Sequence, residues 1–152
     1  MRHPPVVLVS AVALALSLVA GCGAQRTAEP RVVSRDGIMP AVAWSDAERA
    51  KPVAAKLLRT TDQASTFLIL LNQAESPHTH DTHDVMVVMV SGGGILHIGD
   101  RAEPVRPGDI MEIPRGVVHW AENTAPGGSV VYAVFTPPYD GSDMHPVGSR
   151  QF

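Results

Sequence analysis

The sequence predicts an all-β protein: one antiparallel sandwich or barrel of short strands, preceded by a short helical segment. Three observations carry this expectation. Apolar runs of strand length recur between residues 65 and 135, each ended by a turn rich in glycine or proline. Thirteen glycines and thirteen prolines in 152 residues, with few aromatics, suit many strands joined by tight turns. His78 and His80 stand one residue apart, and His119 follows a Pro114-Arg115-Gly116 turn, a ligand spacing set in strand and turn rather than helix.

The length allows one domain. A formal charge of −3 with no basic run gives no reason to expect nucleic acid as a partner.

Residues 1–21 read as an export signal. Arg2 supplies a positive start, and the apolar stretch from Val6 to Val19 falls short of the roughly twenty residues that a spanning helix needs. The stretch ends in Leu18-Val19-Ala20-Gly21-Cys22, which resembles the lipobox of bacterial lipoproteins. The resemblance implies that Cys22, the only cysteine, is lipidated and becomes the mature N-terminus, tying the protein to a membrane of the bacterial cell envelope. Residues 22–43, of mixed small, charged and turn residues, read as a tether, and residues 44–152 as the domain.

Within the domain, Trp44 to Arg59 predicts one or two short helical turns on the outside. Ser45 with Glu48 makes a capping-box pattern, and Pro52 prevents a longer helix. Strands are expected at Thr66–Leu71, Val85–Val90, Ile95–Ile98, Ala102–Val105, Ile110–Ile113, Val117–Glu122 and Ser129–Phe135. Ser91 to Gly94, Gly99-Asp100, Pro107-Gly108, Pro114 to Gly116 and Pro126 to Gly128 separate them.

Residues i and i+2 of a strand share a face, so His78 and His80 present two imidazoles to one interior, where His119 can join them. Three neutral imidazoles make one side of a divalent-cation site with positions left for water or substrate. His97 and His145 read as surface residues, Asn123 and Asp109 as turn residues, and Arg115 as exposed at the mouth. Met86, Met89, Met111, Phe67 and Tyr132 are candidates for an apolar pocket or plain core.

Gly108, Pro114, Gly116, His119 and Asn123 match every fixed position of Gly-x5-Pro-x-Gly-x2-His-x3-Asn, and His78, His80 and Gly92 match a preceding His-x-His block. In these residues the chain resembles the cupins, from about Ser65 to Val147, the tail Pro137 to Gly141 included. The resemblance implies a cupin-type barrel (the double-stranded β-helix, or jelly roll) holding iron, manganese, zinc, copper or nickel. A small-molecule ligand is expected with it, and small proteins of this kind are often homodimers.

One position departs from the pattern. Cupins place a glutamate seven residues before the closing glycine, and Val85 stands there. His83 by strand parity, Asp84 by its carboxylate, or water is the fourth ligand, and His83 is favoured. The fold hosts dioxygenases, isomerases and binding proteins, so two functions stay open: a small-molecule metalloenzyme, or a non-catalytic module that captures a ligand or metal at the envelope. No nucleophile elbow, phosphate loop or dinucleotide fingerprint points to other chemistry.

Overall fold

The computed structural model describes residues 31–35, 37–39 and 43–148. The expected export signal and Cys22 lie outside them. Within the segment read as a tether, β1 (Val32–Ser34) and β2 (Gly37–Met39) pair as an antiparallel hairpin. Helix α1 (Asp46–Arg49) is the single turn that the capping box predicts: Glu48 N–H donates to Ser45 Oγ, and Ser45 N–H donates to the Glu48 carboxylate.

The remainder is strand: β3 (Val53–Thr60), β4 (Ser65–Leu71), β5 (His78–Thr79), β6 (Asp84–Ser91), β7 (Gly94–Ile98) and β8 (Arg101–Val105). Then follow β9 (Ile110–Ile113), β10 (His119–Asn123), β11 (Ser129–Thr136) and β12 (His145–Pro146). They form two antiparallel five-stranded sheets, ordered β12-β5-β10-β7-β8 and β3-β4-β11-β6-β9. This is the predicted all-β jelly roll.

Strand β3 occupies the second half of the Trp44 to Arg59 segment, where no strand is expected beside the one or two short helical turns. Ala54, Ala55, Lys56, Leu57 and Leu58 favour helix by intrinsic propensity. Pairing with β4 along the whole of β3 overrides that weak preference, and such a partner is invisible in a local window.

The continuous apolar run of β4 is explained by burial on both faces. Phe67 and Ile69 join the core between the sheets with Val85, Met89, Leu96, Met111, Ile113, Ala133 and Phe135. Leu68 and Leu70 point to the other side, where Trp44, Leu58, Val90 and Tyr132 cover them. Tyr132 and the exposed Met86 therefore do not face the interior, whereas Met89 and Met111 do.

The ends of β7 and β10 are tied by the turn residues that the sequence marks. Ser129 Oγ accepts the Gly93 N–H at 2.8 Å and donates to Asn123 Oδ1 at 2.6 Å. Asn123 also donates to the Asn72 and Ala125 carbonyls. Gly92 sits at φ +83°, and a Cβ there would lie 2.7 Å from Ser129 Cα, so only glycine closes this turn. Asp109 accepts the Arg106 N–H, as a turn aspartate should.

Candidate metal centre

Antiparallel pairing sets His78 directly opposite His119, on β5 and β10. Parity brings His80 to the same side as His78, and Gly116 N–H donates to the His80 carbonyl at 2.7 Å, so the Pro-x-Gly turn docks on the first histidine block. All three imidazoles are buried, and their potential ligand atoms lie within 4.8 Å of one another.

Each ring has its Nδ1 against a backbone carbonyl: His78 at 2.8 Å from Ser76 O, His80 at 2.7 Å from Asp143 O, and His119 at 3.0 Å from Val117 O. A carbonyl only accepts, so the neutral ring keeps its proton on Nδ1 and its lone pair on Nε2. Metal-binding histidines are held in this way. Burial, together with the neighbouring imidazoles, lowers the His119 pKa to about 4. Burial also lowers that of His80, mainly because a charged ring loses hydration there.

Behind the triad lies a cavity of about 80 Å³, with Ile69, Val85, Met89, Leu96, Met111 and Val131 among its apolar walls. Val85 thus faces inward at the position where the motif expects glutamate, and no other residue of its strand replaces it. Asp84 faces out and binds Arg115 by an ion pair of 2.5 Å, which holds its carboxyl down at about 2. Arg115 is accordingly exposed and paired.

His83, favoured as the fourth ligand, stands apart from the group of three. Its Nδ1 lies 2.5 Å from the Asp143 carboxylate and its Nε2 3.2 Å from the Pro138 carbonyl, so both nitrogens are engaged by oxygen acceptors. Strand parity placed it inside correctly, since it is buried, but its partners come from the tail more than fifty residues later. Burial pushes the Asp143 carboxyl up. Hydrogen bonds from His83, from the Thr82 amide and hydroxyl, and from the Asp81 amide outweigh this and hold it well below the usual carboxylate range.

Two further residues of the site carried no motif. Asp143 reaches it from the tail, where β12 pairs with β5 and Tyr139 stacks on Phe135 beside His80 and His83. Glu75 lies on the cavity wall, its Oε2 accepting the Ala121 N–H at 3.0 Å. Burial raises its pKa against the pull of His78 and of that hydrogen bond. Its signal was only its place three residues ahead of His78. His97 is half-buried, stacked on Trp120 with Nε2 3.0 Å from Glu122, and His145 is exposed. Neither belongs to the triad.

Comparison with known proteins agrees with this architecture. The family model described as "Cupin domain" matches residues 67–135. An uncharacterized protein of Aquifex aeolicus (strain VF5) is 37% identical over 86 residues, which are 57% of this chain and 70% of that protein. Among solved structures, KdgF from Halomonas sp. superposes with a TM-score of 0.58 at 24% identity, over 65% of this chain and 89% of that one. Pac13 of Streptomyces, a nucleoside dehydratase, has a TM-score of 0.55 at 13% identity over 63% and 78%. An RmlC-like cupin from Shewanella frigidimarina gives 0.54 at 18% over 59% and 79%. With its two sheets, its motif residues and these matches in agreement, the chain belongs to the cupin family.

Proposed function

We propose that this protein is a divalent-metal-binding cupin that acts on a small oxygen-bearing molecule at the bacterial envelope. The observation that supports it most is the set of three Nδ1 contacts to backbone carbonyls, which leaves three Nε2 lone pairs to converge. Buried neutral imidazoles of this kind suit iron, manganese, zinc, copper or nickel. When bound, such an ion polarises an oxygen of the ligand. His78, His80 and His119 would hold it, and the apolar walls would exclude water and seat the carbon skeleton. At roughly 10–15 Å³ for each water-sized group, the cavity suits a ligand of few heavy atoms. A dioxygenase-like or isomerase-like reaction fits this arrangement. Val85 supports a second reading, a capture module without turnover, because it leaves its strand with no inward carboxylate.

Envelope attachment is a separate part of the proposal and rests on the Leu18-to-Cys22 resemblance. In a bacterial host, Cys22→Ser should move the protein from the membrane to the soluble fraction and abolish palmitate labelling. Unchanged partitioning and labelling would contradict lipidation.

Metal-free domain titrated with zinc, iron(II) or manganese should take up about one equivalent. At a hundredfold excess over Kd it should gain about 2.7 kcal/mol of stability. His78→Ala with His119→Ala should remove both effects, whereas a wild-type domain with neither uptake nor stabilisation would refute the metal reading. Oxygen uptake or product formation with small phenols, diketones or hydroxyketones distinguishes the enzyme, and bound metal without turnover favours capture.

The lowered His119 pKa has a consequence for the metal-free form. Between pH 6.5 and pH 4 the unfolded histidine binds a proton that the folded one refuses, so stability is full above that window and falls as pH drops through it. Glu75, with its raised pKa, works in the opposite sense, so a difference between variants is the informative quantity. Urea unfolding in chelator should show a loss between pH 6.5 and 4 that is smaller by roughly 3 kcal/mol in His119→Gln than in wild type. Equal losses would contradict a neutral buried His119.

A further inference from the structure

The path from Ala74 to His78 contains one more residue than its partner strand. Ala74 bridges Glu122 and His78 pairs with His119, so four residue steps on one side face three on the other. An extra residue of this kind bends the strand and re-aims a side chain, and such bulges recur beside active sites. Here the re-aimed side chain is that of Glu75. Its N–H donates to the Ala121 carbonyl at 2.9 Å, and its Oε2 accepts the Ala121 N–H at 3.0 Å. The carboxylate therefore takes the place of a ladder carbonyl two residues beyond His119, on the wall of the cavity that His78, His80 and His119 also line.

That position is unusual for an acid. The bond to Ala121 uses one of roughly four lone-pair sites of a carboxylate. The carboxylate is half-buried, and among the described residues no lysine or arginine lines this cavity to pair with it. The cavity also holds the three imidazoles, whose ligand atoms lie within 4.8 Å of one another in a group that leaves out Glu75, and His78 is the one that acts on its charge. A cation held by those imidazoles is the partner that the cavity is built to admit.

We propose that Glu75 is an outer carboxylate of the metal centre: it stands outside the 4.8 Å ligand group and supplies, from the bulge before β5, the negative charge that Val85 withholds from β6. This rests on the metal reading of the triad. It assigns the acid to a different element from the one that carries the family's glutamate.

A purely structural Glu75, present only to satisfy the Ala121 amide, makes a different prediction from a charged member of the centre. Glu75→Gln keeps an acceptor oxygen at Ala121 and loses the charge. In chelator its Tm should stay within a few degrees of wild type, while its Kd for zinc should rise tenfold or more. Zinc binding by Glu75→Gln within twofold of wild type, with His119→Ala losing it, would overturn the role of Glu75 and leave the triad standing. A wild-type protein that binds no zinc would overturn both. Should Glu75→Gln not fold, the wild type itself decides: the Glu75 side-chain carboxyl ¹³C signal should shift more than that of any other glutamate when zinc is added. A Glu75 signal that stays still would overturn the proposal.

Discussion

A backbone carbonyl opposite Nδ1 decides which nitrogen of an imidazole can bind a cation, and the site depends on three such contacts. Ser76 and Val117 each lie two residues before the histidine they orient, on two segments that meet where His78 faces His119. The same local device thus appears on both sides of one antiparallel pair. Because the carbonyls lie just ahead of β5 and β10, ring orientation is set where the two segments enter the sheet. At His119 and His80 burial then disfavours the competing charged form, since an imidazolium loses more hydration than a neutral ring.

His80 differs in kind, because its carbonyl comes from Asp143, sixty-three residues away. Asp143 acts through two groups at once. Its main chain orients His80, while its carboxylate gathers the Asp81 and Thr82 amides and the His83 ring. This explains why His83 stands outside the triad: a nitrogen bonded to a buried carboxylate is committed to the tail that closes the barrel end. A pair of this sort is costly to break on one side, because the group that remains is left without its partner. His83 and Asp143 are therefore a clamp that holds the first histidine block in register.

The sequence made the inner architecture legible wherever a rule acts locally. Period-two parity found His78 and His80, placed Val85 inward and turned Asp84 outward. Glycine and proline marked the turns that Gly92, Asn123 and Asp109 hold. Non-local partners were what it left hidden. The helix-favouring residues of β3 became a strand because β4 lay beside them. The engagement of His83 depended on a tail aspartate that no spacing rule connects to it. Glu75 could not be seen because a bulge breaks the parity by which the other inward residues were found.

The central claim is that three buried histidines are neutral with the proton on Nδ1. It is tested most directly by two-bond ¹H–¹⁵N correlation spectra of the ¹⁵N-histidine-labelled, metal-free domain near pH 7. Protonated-type shifts at Nδ1 and lone-pair-type shifts at Nε2 for His78, His80 and His119 are the predicted result. A proton on Nε2 in any of the three, or a doubly protonated ring, would contradict it.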